Sequence, residues 1–210
     1  MNVLGMVIVL CVIVFSMMLH ELAHGGVAYL LGDETAKEDG RLTLNPLKHL
    51  DPFMSVILPL MSYLLGGVVF GGAKPVPVNP YKLKGREWGM ALVAVAGPLT
   101  NFVLALASFL VLELTGVGQE SEILYTILYE MLFVNLGFGV FNLIPIPPLD
   151  GSRVLYALMP DGVREFMNKM ERVGIYIIYM LILVGGGVFS SVMTGTMNWI
   201  IEGFYWIIGK

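Results

Sequence analysis

The residues best suited to chemistry lie within one helical turn, in the pentapeptide His20–His24, which reads H-E-L-A-H. Residues four positions apart share one face of a helix, so His20 and His24 can bind the same metal ion. Glu21 lies beside them, close enough to take a proton from a water at that metal. The pattern therefore predicts a metal-dependent hydrolytic centre.

A chance occurrence of this pentapeptide is the alternative interpretation. Residues 3–19, which precede it, are uncharged and nearly all apolar. The two histidines and the glutamate would therefore lie at membrane depth, where ionisable groups are costly and usually functional. The setting favours the metal centre over chance.

Two histidines need a further ligand, because a catalytic zinc site has three protein ligands and an open position for water. Leu30 occupies the position at which some zinc proteases carry a third histidine. Asp150 is the best candidate, since three prolines precede it and Gly151 follows it. The sequence predicts a His/His/Asp site, although a helix cap or an interfacial turn would also explain Asp150.

Other polar residues have two interpretations each. Asn135 and Asn142 are seven residues apart and share a helical face. Asn142 could bond the substrate backbone or the reacting carbonyl, or both asparagines could form hydrogen bonds between helices. His49 could assist a substrate, but a solvated loop histidine is the stronger interpretation. Asn101 is expected to serve helix packing.

The elements that position these residues belong to a membrane protein. The 210 residues are 57% hydrophobic and only 13% charged, outside the range of soluble domains. Several apolar runs have the length of a membrane-spanning helix. A net charge of −4 gives no indication of nucleic-acid binding, and Cys11 is the only cysteine, so no intramolecular disulfide can form. The first apolar run carries the metal motif and has no cleavage site, so we expect no removable signal peptide.

The fold class predicted is an all-α polytopic membrane protein with five to six hydrophobic segments. The segments cover residues 3–31, 53–70, 88–114, 123–144, 173–189 and 192–208. The second contains Pro59 and two adjacent glycines, which favours a re-entrant or broken element. The last either spans the membrane or lies in its interface. Between the first two, Arg41–Leu44 alternates like a strand, and prolines extend residues 74–80, so we expect a short β-hairpin or extended region on the cytoplasmic side.

The loops predict an orientation. If residues 53–70 enter and leave on one side, the three candidate ligands lie toward one face. That face then carries all twelve lysines and arginines, in the loops 33–51, 71–87 and 151–172 and at Lys210. The positive-inside rule makes it cytoplasmic and the N-terminus external. We expect a multi-pass protein of the plasma membrane with its active site toward the cytoplasm.

Five motifs together resemble those of the site-2 protease family, the zinc intramembrane metalloproteases. They are H-E-L-A-H at 20–24, N-P-L-K-H-L-D-P at 45–52, K-P-V-P-V-N-P at 74–80, A-G-P-L-T-N at 96–101, and N-L-I-P at 142–145 leading to L-D-G at 149–151. The resemblance runs from His20 to about Leu155. It implies that His20, His24 and Asp150 bind one Zn²⁺ and that Glu21 is the general base.

The resemblance also implies a substrate: a transmembrane helix of another membrane protein, which unwinds before it is cleaved in the lipid bilayer. We expect one protease domain over residues 1–210, with a catalytic core at 1–155 and accessory helices at 156–210, in a short form without PDZ or CBS domains. An extended edge could expose the scissile bond by strand addition. Arg41–Leu44, which contains Thr43, is favoured over 74–79, whose prolines limit pairing.

Two other classes of function remain at this stage. A membrane transporter could use the same metal ligands, but it should carry polar positions along several spans and often a repeat. A catalytically silent scaffold would tolerate the loss of Glu21, which a protease cannot. The sequence leaves the substrate, the trigger and the oligomeric state open.

Overall fold

The computed structural model describes residues 3–51, 57, 74–117, 121–184 and 186–210. These residues form eight α-helices and one 3-10 helix, and no strand lies among them. The helices are α1 (Val3–Leu30), α2 (Thr35–Glu38), α3 (Glu87–Thr115), α4 (Glu122–Asn142), α5 (Asp150–Leu158), α6 (Asp161–Glu171), α7 (Gly174–Val184) and α8 (Gly186–Ile207), with the 3-10 helix at Pro46–Lys48.

Three of the described helices, α1, α3 and α4, are long and apolar enough to cross a membrane. They contain 28, 29 and 21 residues, and at about 1.5 Å per residue each matches or exceeds a hydrocarbon layer of about 30 Å. The chain is therefore a multi-pass membrane protein, and the all-helical prediction is confirmed for the described residues.

The three spans pack against one another, with α8 beside them. The core that α3 and α4 share with α8 consists of Ala105 and Phe109 of α3, Leu132 and Leu136 of α4, and Phe204 of α8. Small residues let membrane helices approach closely. At Gly139 of α4 a Cβ atom would lie 2.7 Å from the Phe102 ring of α3, so glycine lets this ring lie directly against the backbone of α4. Helix α1 packs against both α3 and α4, so these two spans lie beside the helix that carries the metal motif.

The loops that follow α1 and precede α3 lie side by side. The Leu31 carbonyl accepts a hydrogen bond of 2.9 Å from Lys84 N, and the His49 carbonyl accepts one of 2.8 Å from Lys74 N. The predicted re-entrant element at 53–70 falls outside the described residues apart from Ile57. The described residues on either side of it, at 49 and 74, are in contact.

The strand predicted at Arg41–Leu44 is not present, because these residues form bends ahead of the 3-10 helix. The side chain of Asn45 accepts a hydrogen bond from Leu47 N and starts that helix. The Arg41 guanidinium bonds the carbonyls of Lys74 and Pro75, at 2.6 and 3.4 Å. Local side-chain bonds to the backbone thus take the place of a strand ladder.

The C-terminal region differs from the sequence prediction. Ser191, predicted to lie between two segments, is inside α8, where its hydroxyl bonds the Gly187 carbonyl of the same helix at 2.9 Å. This internal bond satisfies the serine without a turn.

The Lys210 ammonium lies 2.8 Å from Glu113, near the C-terminal end of α3, whereas Arg86 precedes its N-terminal end. The expectation that all twelve cations share one face is therefore wrong for Lys210.

Candidate metal centre

The three predicted ligands lie together in the interior of the protein. His20 and His24 are one turn apart on α1, both buried, with their Nε2 atoms 2.9 Å apart. The Oδ2 atom of Asp150 lies 3.2 Å from His20 Nε2 and 3.4 Å from His24 Nε2. One ligand atom from each residue falls within 4.8 Å of the other two. The fold thus brings the first helix and residue 150 to one point.

The segment between α4 and α5 places Asp150. Its prolines prevent α4 from continuing, and Asp150 is then the first residue of α5, which packs against α3. A Cβ atom at Gly151 would lie 2.1 Å from the Leu143 carbonyl oxygen. Only glycine therefore lets the start of α5 lie against the end of α4, which explains the Asp-Gly pair.

Hydrogen bonds on the far side of each imidazole determine which nitrogen carries the proton. His24 Nδ1 lies 2.7 Å from the Val93 carbonyl, which can only accept, so Nδ1 is the donor. His20 Nδ1 lies 2.6 Å from Asn101 Oδ1, also an acceptor. In its neutral form each imidazole therefore presents its Nε2 lone pair toward the other imidazole and Asp150.

This arrangement fits a metal ion. Two nitrogen lone pairs and one carboxylate oxygen converge, and Asp150 Oδ2 is buried without a hydrogen-bond donor among the described residues. Three acceptors at this distance repel one another unless a cation or protons lie between them. A Cβ atom at Gly97 of α3 would lie 2.5 Å from His24 Nε2 and from His20 Cε1, so glycine keeps the space beside the ligands clear. Two imidazoles and a carboxylate are a zinc donor set with room for water.

Glu21 lies outside the ligand cluster and is held from another direction. Its Oε2 atom accepts a hydrogen bond of 2.8 Å from the backbone N–H of Val76. Val76 belongs to the proline-rich segment 74–79, which Arg41 fastens at the Lys74 carbonyl. One carboxylate oxygen is therefore fixed, and the carboxylate belongs to the same helical turn as the two histidines.

Asp33 holds the other end of segment 74–79, and sequence reasoning gave it no function. It is fully buried, and it accepts hydrogen bonds from Asn79 N at 2.6 Å, Thr35 Oγ1 at 2.5 Å and Thr35 N at 3.1 Å. Burial alone would raise the pKa of this carboxyl, but the donors and the charge of Lys82 hold the pKa below its usual range. An aspartate two residues before a threonine at a helix end was the available sequence signal.

Asn101 has a more specific contact than the helix packing predicted for it. It is fully buried and accepts from His20, while its Nδ2 atom donates to Asn135 Oδ1 at 2.8 Å. Asn142, in contrast, donates to the Phe138 carbonyl of its own helix at 3.1 Å. The two asparagines predicted to share a face thus have different partners, and only Asn135 connects to the metal centre.

Thr43 and His49 contact each other rather than the metal ligands. The Thr43 carbonyl lies 2.9 Å from His49 Nε2. His49 is only 2% exposed, so its interpretation as a solvated loop histidine is wrong. The loop folds over α1, and a Cβ atom at Gly25 would lie 2.7 Å from the Leu42 side chain. The loop therefore packs on α1 at the residue that directly follows the metal motif.

Comparison with known proteins places the chain in a family. Residues 8–125 and 115–185 match the family described as Peptidase family M50. The chain is 41% identical to YwhC of Bacillus subtilis over 178 residues, 82% of this chain and 78% of the relative. It is 30% identical to Rip2 of Mycolicibacterium smegmatis over 91% of this chain and 69% of the relative. It is 28% identical to zinc metalloprotease MJ0392 of Methanocaldococcus jannaschii over 72% of this chain and 34% of the relative. No solved structure matches it.

Proposed function

The chain belongs to peptidase family M50, the site-2 protease family, and from this membership we propose that it hydrolyses a peptide bond in or near a transmembrane helix of a membrane-protein substrate. It is an intramembrane zinc metalloprotease. The observation that carries the proposal is the convergence of three potential ligand atoms, from His20, His24 and Asp150, within 4.8 Å of one another. A metal transporter or a silent scaffold has no comparable support from the described residues.

The side chains have distinct functions in this proposal. His20, His24 and Asp150 would hold one Zn²⁺, which when bound would supply a Lewis acid for the scissile carbonyl and would lower the pKa of a water to about 7. Glu21 is the general base. With one oxygen held by Val76 N–H, its other oxygen takes the proton from the attacking water and returns it to the leaving amine.

The proposed orientation places the metal centre toward the cytoplasm. His20 lies ten residues before the end of α1, about 15 Å from that end of the helix. The loops at that end and after α4 contain eleven of the twelve lysines and arginines, and Lys210 lies at the opposite end of α3. Even with Lys210 at the opposite end, the positive charges are concentrated on the side of the metal centre. This asymmetry supports a cytoplasmic metal centre and an external N-terminus.

Substrate presentation is proposed for the loop Arg41–Leu44. It lies against α1 at Gly25, and Leu44 is exposed. An unwound substrate segment could pair with this backbone beside Glu21. The carbonyl of Thr43 is already engaged by His49, so the pairing would use the neighbouring backbone groups, with Asn142 as a further candidate contact.

The division of the chain is also a proposal. All residues given a function here lie between His20 and Asp150, which supports a catalytic core over residues 1–155. Residues 156–210 then act as accessory helices, of which α8 packs through Phe204 on α3 and α4. The oligomeric state stays open.

Zinc analysis of the purified protein tests the ligand set. We expect one zinc per native chain and its loss in Asp150→Ala, because two histidines alone hold zinc weakly. Asp161→Ala, at the first position of α6, is a matched control that should keep its zinc. Full zinc occupancy in Asp150→Ala would contradict the proposed site.

A further inference from the structure

A chain of buried hydrogen bonds leads from the metal centre through three spans. It runs from His20 of α1 to Asn101 of α3 at 2.6 Å, and from Asn101 to Asn135 of α4 at 2.8 Å. Asn135 Nδ2 then donates to the Met131 carbonyl and to the Ser16 hydroxyl, both at 2.8 Å. Ser16, Asn101 and Asn135 are each fully buried. These three side chains are therefore shielded from bulk solvent.

The Met131 carbonyl at the far end gives the chain its direction. A carbonyl oxygen can only accept, so Asn135 must direct its NH₂ group at Met131 and its oxygen at Asn101. Asn101 must then present its NH₂ group to Asn135 and its oxygen to His20. Reversing either amide would set two oxygens against each other in the membrane interior, at high cost. Only one direction satisfies every group.

This direction decides the tautomer of His20. Facing an oxygen, Nδ1 must carry the proton, which leaves Nε2 free to bind metal. We propose that Asn135 is a positioning residue of the metal centre, although its hydrogen bonds go to Asn101, Ser16 and Met131 and not to the ligands. Because Asn135 donates to the Met131 carbonyl, it must accept from Asn101, and Asn101 must accept from His20. These two bonds hold His20 in its metal-binding tautomer. The inference rests on the proposed function, since it requires that His20 binds zinc.

Ordinary interhelical bonding does not account for this arrangement. A polar pair that joins two helices needs a donor and an acceptor, in either order. In this chain the Met131 carbonyl, a backbone acceptor that no side-chain substitution can change, fixes which amide donates and which accepts. The tautomer of His24 is also fixed by a backbone carbonyl, because its Nδ1 donates directly to the Val93 carbonyl. Both metal-facing nitrogens are thus set by a main-chain carbonyl, one directly and one through two asparagines.

Zinc affinity tests the inference without reference to proteolysis. The full chain, purified in detergent, would be titrated with Zn²⁺ against a chromophoric chelator. Asn135→Leu keeps the number and branching of the side-chain heavy atoms but removes the donor and the acceptor, so Asn101 can turn and His20 can take either tautomer. We expect zinc affinity to fall about 10- to 100-fold, the usual effect of losing such an outer partner.

Ser16→Ala is the matched control within the network. It deletes a buried hydrogen bond to Asn135 but keeps the Met131 carbonyl that directs the amide. We expect the thermal stability of the metal-free protein to fall while zinc affinity stays near the native value. A loss of affinity in Ser16→Ala equal to that in Asn135→Leu would mean that packing, not polarity, matters, and would overturn the inference.

A double substitution separates polarity from packing more sharply. Asn101→Asp places a carboxylate beside His20, and an ionised carboxylate accepts whatever its rotation. His20 would then donate from Nδ1 without direction from Asn135. We therefore expect Asn135→Leu to lower zinc affinity in the native background but not in the Asn101→Asp background. Equal losses in both backgrounds would overturn the inference.

The titration also distinguishes this inference from the proposed function. A native chain that fails to bind zinc would overturn the metal centre itself, and the inference with it. A native chain that binds zinc with the same affinity as Asn135→Leu would overturn the inference alone. The Co²⁺-loaded proteins give a second readout, because a changed ligand nitrogen alters the visible absorption bands.

Discussion

The carboxylate of Glu21 accepts a 2.8 Å hydrogen bond from the backbone N–H of Val76. Val76 lies between Pro75 and Pro77, and prolines have no N–H group to donate. Val76 is therefore the one residue from 75 to 77 that can hold the carboxylate. Arg41 at Lys74 and Asp33 at Asn79 fix the two ends of the segment, so this donor is held in place.

Val76→Pro should slow cleavage without loss of zinc. The substitution deletes the donor, which frees the Glu21 carboxylate to rotate, and a lost hydrogen bond to a charged group corresponds to about a tenfold or greater effect. The decrease should be in kcat rather than KM, measured on a reporter substrate. Val76→Ala keeps the N–H and should retain most activity. Equal kcat values for the two variants would show that the contact does not position Glu21.

Thr43→Pro tests the loop proposed to present the substrate. A proline fixes the local backbone and removes one donor from any pairing with an extended substrate. We expect slower cleavage with the zinc content unchanged. Unchanged cleavage would count against substrate pairing at Arg41–Leu44, and loss of zinc would indicate a wider structural change.

Gly97→Ala should prevent zinc binding. The added Cβ atom would lie 2.5 Å from His24 Nε2 and 2.6 Å from His20 Nε2, closer than any real contact of this kind. Gly137→Ala on α4 is a matched control, because a Cβ atom there meets nothing within 4 Å. Zinc analysis of both purified variants is the measurement. Native zinc content in Gly97→Ala would mean that α3 lies farther from the ligands.

Asp33 should make stability depend on pH in the acid range. Hydrogen bonds from Thr35 and Asn79 hold its folded-state pKa below the usual value, which is about 3.9 in an unfolded chain. The stabilisation is thus present above the unfolded pKa and is lost as the pH falls through the folded one. Thermal unfolding between pH 3 and 7 would be compared for the native chain and Asp33→Asn.

In that comparison Asp33→Asn should be less stable than the native chain at pH 7, and the difference should narrow as the medium becomes acidic. Asp39→Asn, at an exposed position six residues on, is the control and should behave like the native chain throughout. A difference that is constant with pH would show that Asp33 is not held as an anion.

Several parts of the centre could be predicted from sequence because they depend on local spacing. His20 and His24 share a face by helical periodicity, and Asp150 stands out because three prolines and a glycine free it from a helix. The family was also predictable, since five separate motifs occur in order. The three described spans followed from the length and apolarity of their segments.

The residues that sequence reasoning missed act through contacts between distant parts of the chain. Asn101 meets His20 from 81 positions away, and Asn79 meets Asp33 from 46. Val76 contributes only its backbone, which its side-chain type cannot reveal. The errors have the same origin: nothing in the neighbouring sequence shows that His49 is buried by its loop or that Lys210 reaches Glu113.

The most direct test of the central claim is cleavage of a panel of single-span reporter proteins in liposomes by the native chain and by Glu21→Gln, with zinc measured on both. The account predicts cleavage by the native chain and loss of cleavage in Glu21→Gln with zinc still bound, because the variant keeps all three ligands but has no base. Cleavage that survives in Glu21→Gln would contradict the mechanism.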